Sequence, residues 1–200
     1  MKADFAKKRL AEVRLSERNR KTVEMFNAAS GTKKVVDFGT GDGEFLNAYQ
    51  EKHPEEVIIG FDPFSYTAEA LSSIPEGVVV CDAAETGIYP DSVDMVTVNM
   101  PDPFQARKLV PRFIKEAWRI LKPGGVIFIV FECPDFIFPV TRFTIHSSTT
   151  DIVSSLRGQG FQLEHEGVPL QEIDSHYPKT KTMKLCDARY GGCTLFKGRK

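Results

Sequence analysis

Cysteine is scarce and unpaired in this chain. Cys81, Cys133, Cys186 and Cys193 include no C-x-x-C spacing, which argues against a zinc ribbon or a redox dithiol. Read as free, mostly buried thiols, they suit a reducing compartment better than a disulfide framework. No apolar run approaches the roughly 20 residues that a membrane-spanning helix needs. The N-terminus opens basic and stays polar, so no secretory signal is expected and the chain reads as cytoplasmic. His53, His146, His165 and His176 share no metal-ligand spacing, and no metal is expected. Of these, only His146 stands out, because it falls in a long connection between predicted elements. Neither a Ser/His/Asp order, nor a P-loop, nor an internal repeat is present.

What is present is one ordinary globular composition over 200 residues, enough for a single domain with a sizeable core. The net charge of −1 conceals an uneven distribution. Residues 1–30 carry eight Lys/Arg against Asp4, Glu12, Glu17 and Glu24, a net of +4. Residues 177–200 carry seven against Asp187 alone, a net of +6, and the middle is left at −11. Basic ends on an acidic body suit a polyanionic partner, because clustered Lys/Arg release counterions from phosphates. They equally suit a solvated helix and tail.

Phe5, Leu10, Val13 and Leu15 recur among charges, so residues 1–30 are expected to form a basic amphipathic helical extension, ahead of a domain spanning 31–200. Lys34 to Phe38, Val57 to Phe61, Gly77 to Cys81, Ser92 to Asn99 and Val126 to Phe131 read as buried strands. Helices are predicted over 44–50, 68–72, 104–121 and 151–157. The clearest, 104–121, ends in Leu121-Lys122-Pro123-Gly124-Gly125. Phe161 to Glu166 and Cys193 to Phe196 complete the strands and are expected to pair antiparallel. Alternating strands and helices mean a mostly parallel, doubly wound α/β sheet with helices on both faces. Residues 133–147 do not read as part of the sheet; such a connection is often a lid or substrate loop.

Asp37-Phe38-Gly39-Thr40-Gly41-Asp42-Gly43-Glu44 lies at the carboxyl end of the first strand, where a doubly wound sheet places its ligand. A dinucleotide fingerprint wants a third glycine where Glu44 stands, and a carboxylate there repels a diphosphate. A phosphate-free cofactor is therefore favoured. The second strand ends in Phe61-Asp62-Pro63, from which a carboxylate can reach a ribose diol, and Cys81-Asp82-Ala83 follows the third. Singly, Asp37, Asp62 and Asp82 could each be a helix cap or a solvated loop residue. Three acidic strand ends in step with a glycine-rich loop are a stronger signal.

This series, Val35-Val36-Asp37-Phe38-Gly39-Thr40-Gly41-Asp42-Gly43, then Asp62, then Asp82-Ala83, then Leu121 to Gly125, resembles the class I S-adenosylmethionine-dependent methyltransferases over essentially the whole domain. The resemblance implies a Rossmann-like seven-stranded sheet with an antiparallel last strand. It implies S-adenosylmethionine as cofactor, with Asp37, Gly39, Thr40 and Gly41 near its methionine moiety, Asp62 and Pro63 at the ribose, and Asp82 and Ala83 near the adenine. Asn99, at the end of the fourth strand, joins this set.

Asn99-Met100-Pro101-Asp102-Pro103-Phe104 stands where that superfamily faces the methyl group, and Tyr177-Pro178-Lys179-Thr180-Lys181 precedes the last strand. Together they resemble the bacterial tRNA (guanine-N7)-methyltransferases, which implies tRNA as partner. On that pattern Asp102 is the catalytic residue at the acceptor. Phe104, Arg107, Lys108, Glu132, Thr180 and Lys181 are the substrate contacts. The pattern is broken at Ala106, where the family has a lysine, and at Met183, where it has a glutamate. Two other readings are open: a methyltransferase for a small molecule or a protein, and a catalytically silent RNA- or partner-binding subunit. Oligomeric state is open between monomer and homodimer.

Overall fold

The computed structural model describes residues 17–41, 43–62, 77–80, 85–99, 103–131, 152–169 and 194–200. Among them, helix α1 (17–28) precedes β1 (Lys34–Phe38), and α2 (Glu44–Lys52) leads into β2 (Val57–Asp62). Then come β3 (Val78–Val80), β4 (Val93–Asn99), α3 (Pro103–Ile120), β5 (Leu121–Phe131), α4 (152–159), β6 (Gln162–Pro169) and β7 (Thr194–Arg199). The strands form one seven-stranded sheet in the order β3-β2-β1-β4-β5-β7-β6. Pairings from β3 to β5 are parallel; β7 alone runs antiparallel, against both β5 and β6. The order reverses between β1 and β4, and this crevice is where a doubly wound sheet receives its ligand.

Burial explains the strands. Every residue of β1 is buried, as a central parallel strand covered on both faces must be. Alternation sorts its side chains: Val36 and Phe38 join the larger apolar cluster and Val35 the smaller. The larger cluster takes Phe26 from α1, Phe113, Ile114, Ala117 and Ile120 from α3, and Ile152 and Leu156 from α4. The smaller takes Phe45 and Tyr49 from α2. Helices therefore cover both faces, and each large side chain withdrawn from water contributes about 1.5–3 kcal/mol.

The expected elements are found with shifted ends. Helix α3 stops at Ile120 rather than 121, and β5 begins at once with Leu121, which pairs with Val93 across a bulge. The Pro123-Gly124-Gly125 run is thus carried within the strand, because Gly124 N–H donates to the Lys200 carbonyl and Lys200 N–H to that of Gly125. Strand β7 reaches Arg199, three residues beyond its predicted end. The predicted helix 68–72, the connection 133–147 and residues 1–16 of the extension lie outside the described residues.

Two polar ties fasten helices to the segment before β4. Asn27 of α1 donates to the Gly87 carbonyl and accepts from Tyr89 N–H. Glu116 of α3, 6% exposed, accepts from the Thr86 hydroxyl at 2.6 Å and from Arg119. Burial would push the Glu116 carboxyl up, but the hydrogen bonds from Arg119 and Thr86 hold it below its ordinary range.

Candidate active site at the head of the sheet

The glycine-rich loop leaves β1 and is fastened to β2 at successive residues. Gly39 and Thr40 N–H groups both point at the Phe61 carbonyl, at 2.7 and 3.3 Å, and Gly41 N–H donates to Asp62 Oδ2 at 2.9 Å. Gly39, Gly41 and Gly43 all have positive φ (74°, 56° and 82°), which a side chain would strain. Among the described residues nothing lies within 4 Å of a Cβ built at Gly39 or Gly41, so the loop presents open backbone. Glu44 begins α2 directly behind the left-handed Gly43. The carboxylate expected to turn away a diphosphate is therefore in the first turn of the helix, where a phosphate would otherwise dock.

Asp37 sits under this loop, fully buried. Its Oδ1 accepts from the Thr97 hydroxyl at 2.6 Å and from Asn99 Nδ2 at 2.8 Å. Register explains the trio: Asp37 pairs with Thr97 across β1 and β4, and Asn99 is one pleat further along the same face. Asp37 Oδ2 and Thr40 Oγ1 are the two buried side-chain polar atoms without a hydrogen-bond partner among the described residues. Burial raises the Asp37 carboxyl from 3.8 to about 6; Thr97, the Thr40 hydroxyl and Asn99 oppose the rise, and the nearby Asp62 charge adds to it. A buried carboxylate with one oxygen held and one spare suits a cation brought in from outside.

Of the residues predicted to bind cofactor, Asp37, Gly39, Thr40, Gly41, Asp62 and Asn99 come together at the carboxyl ends of β1, β2 and β4. Pro63, Asp82 and Ala83 lie outside the described residues, as do Asp102, Glu132, Thr180 and Lys181. Phe104, Arg107 and Lys108 fall in the first turns of α3, which starts beside the Asn99 end of β4, and their side chains are likewise outside the described set. Asn99 orients Asp37, a part the sequence did not assign to it. Sequence reasoning missed Thr97 and Gly60. The signal for Thr97 was available, as a hydroxyl in the otherwise apolar run Met95 to Val98.

The three described cations of the basic C-terminal segment pair within the chain. Lys197 and Arg199 both pair with Glu164, at 2.6 and 2.5 Å. Lys200 Nζ pairs with Asp91 and donates to the Trp118 and Leu121 carbonyls, each at 2.6 Å. These three cations stabilise the sheet's far end, so the expected grip on a polyanion does not rest on them. Lys179, Lys181, Lys184 and Arg189 lie outside the described residues.

Residues 36–129 match the family profile described as "Methyltransferase domain". The seven-stranded order and the antiparallel last strand are those of the S-adenosylmethionine-dependent methyltransferases. The chain belongs to that family, and S-adenosylmethionine is its cofactor. Within it, the chain is 34% identical over 161 residues to the tRNA (guanine-N(7)-)-methyltransferase of Caulobacter sp. (strain K31), covering 73% of this chain and 69% of that one. It is 26% identical over 117 residues to malonyl-[acyl-carrier protein] O-methyltransferase 1 of Coxiella burnetii, covering 58% of this chain and 38% of that enzyme. In fold it resembles a SAM-dependent methyltransferase from Archaeoglobus fulgidus, with a TM-score of 0.54 at 19% identity over 95% of this chain and 94% of that one.

Proposed function

We propose that this protein methylates N7 of guanine in tRNA, with the cofactor held across the carboxyl ends of β1, β2 and β4. The observation that carries the reading is the 34% identity to the Caulobacter enzyme over most of both chains. It is joined to a site whose β4 end, Asn99, runs straight into Pro101-Asp102-Pro103. In this reading Asp37, steadied by Thr97 and Asn99, faces the cationic methionine end with its spare oxygen. Gly39 and Gly41 let the backbone approach closely. Asp62 accepts from Gly41 N–H and, at the end of β2 with Pro63 next in sequence, is the carboxylate for the ribose hydroxyls. Asp82 and Ala83 flank the adenine.

S-adenosylmethionine, when bound, supplies an electrophilic methyl on a sulfonium sulfur. Guanine N7 has a lone pair and no proton to lose, so the protein needs no general base, only orientation and a preorganised field. Asp102 accepts hydrogen bonds from the guanine N–H groups and favours the cationic product. Phe104 stacks on the base, Thr180 and Glu132 border it, and Arg107, Lys108 and Lys181 hold backbone phosphates. A cytoplasmic location fits such a substrate.

The departures at Ala106 and Met183, with the internally paired Lys197, Arg199 and Lys200, support a second reading: the same cofactor site serving a small-molecule or protein acceptor. The experiment is to incubate the protein with labelled S-adenosylmethionine and total tRNA, digest the RNA and look for 7-methylguanosine. Label in that nucleoside supports the first reading; label only in protein or small molecules supports the second. Asp102→Asn is expected to lower turnover about 100-fold while cofactor affinity holds. Unchanged turnover in that variant removes Asp102 from the reaction.

A further inference from the structure

We propose that Gly60 is a positioning residue for the cofactor loop, its missing side chain forming the socket that seats Thr40. Gly60 lies in the interior of β2, paired with Asp37 on one side and Val78 on the other. Its backbone is not in the left-handed region, so conformation does not demand glycine there. Space does. A Cβ at position 60 would stand 2.7 Å from Thr40 Oγ1 and 2.8 Å from both Cβ and Cγ2 of that threonine. Thr40 is 7% exposed, and its hydroxyl lacks a hydrogen-bond partner among the described residues. Close packing into the glycine gap seats the side chain, with its hydroxyl near enough to the Asp37 carboxyl to favour that group's ionised form.

The neighbouring residues of β2 hold the same loop by other means: the Phe61 carbonyl receives Gly39 and Thr40 N–H, and Asp62 Oδ2 receives Gly41 N–H. Three consecutive positions of one strand thus set the loop's height above the sheet, and with it the distance from Asp37 to anything lying on Gly39 and Gly41. A glycine inside a strand often marks such a close approach of another backbone. Because even the Thr40 Cβ is in the clash, no rotamer change relieves it; the loop itself must lift.

The inference rests on the placement of the cofactor against this loop, so its test separates the two. S-adenosylhomocysteine binding is measured by calorimetry, and thermal unfolding without ligand, for the full chain and for Gly60→Ala, Thr40→Gly, the double variant and Asp62→Ala. Gly60→Ala is expected to weaken binding about tenfold or more, since a displacement on the ångström scale is enough to spoil a positioned ligand. Thr40→Gly removes every clashing atom, so Gly60→Ala is expected to add no further loss in that background. This non-additivity is the signature of a direct contact. If Gly60→Ala fails to fold, folding of the double variant still supports the socket, and failure of both overturns it. Unchanged binding in Gly60→Ala, or an equal loss with and without Thr40, also overturns it. If Asp62→Ala leaves binding intact, the placement of the cofactor fails instead.

Discussion

The two ends of the sheet treat buried polar groups in opposite ways. At the amino ends of the strands several charges among the described residues are answered from within the chain. Asp94 accepts from Lys34 N–H and from Lys122 Nζ, Lys34 Nζ donates to the Asn27 carbonyl, and Lys200 joins Asp91 to the last turn of α3. Even the one group of potential metal ligands among the described residues, His53, Glu55 and Glu56, lies at this end, and there Glu56 is already taken by Tyr49 Oη and Lys33. At the carboxyl ends one oxygen of Asp37 and the Thr40 hydroxyl have no hydrogen-bond partner within bonding geometry among the described residues. An unsatisfied buried polar atom costs stability, so a fold retains one where a ligand will answer it. The base holds the sheet together, while the head, in the function proposed above, is held ready for the cofactor.

The contrast breaks most visibly at Asp37. Asp37→Asn keeps the shape and both donors' neighbour but removes the charge. Affinity for S-adenosylhomocysteine is expected to fall at least about 30-fold, the ~2 kcal/mol that truncating one partner of a buried charge contact costs. The unfolding temperature without ligand is not expected to fall at pH 7, since the lost charge is the destabilising form there. A variant that binds as well as the parent, or that only loses stability, would make Asp37 another base-type structural group.

A smaller effect comes from pH. Because the folded carboxyl titrates near 6 and the unfolded one near 3.8, its contribution to stability is full below 3.8 and is lost as pH rises through about 6. A cation selects the ionised form, so binding has the opposite slope: affinity is expected to drop about tenfold from pH 7 to pH 5, with protons released on binding near pH 6. Calorimetry in buffers of different ionisation enthalpy reads this directly. A flat profile that is the same in Asp37→Asn would remove the linkage.

The base should respond in stability alone. Lys200→Ala is expected to cost about 1 kcal/mol in urea unfolding, through the lost α3 carbonyl contacts and the Asp91 pair, with cofactor affinity unchanged. Arg199→Ala, at an exposed pair with Glu164, is expected to change stability by no more than about 0.5 kcal/mol. Should either variant weaken ligand binding more than it weakens the fold, the division between the two ends is not real.

Much of the head was legible from residue order, because it is built from local rules. Asp37 through Gly43 announces a strand passing into a left-handed turn, and Asp62 closes a second apolar run. The base was not legible in the same way. Lys200 and Asp91 are 109 residues apart, and the basic C-terminal run read equally as a polyanion-binding or a solvated tail, with no sign that its last three cations pair within the chain. Gly60 was equally silent, since a glycine in an apolar run shows only a gap, and the threonine that fills it comes from another element.

Taken alone, the sequence determined the alternation of strand and helix and the glycine-rich loop with its carboxylates, and their family resemblance implied the cofactor. Each of these depends on periodicity or on neighbours a few residues apart. Tertiary structure decided which oxygen of Asp37 is held, that Thr97 and Asn99 hold it, that Gly60 seats Thr40, and that the last three cations pair within the chain. The reason is physical. Strand register brings residues some 60 positions apart into hydrogen-bond range, and neither a spare lone pair nor a close approach exists until the strands are side by side.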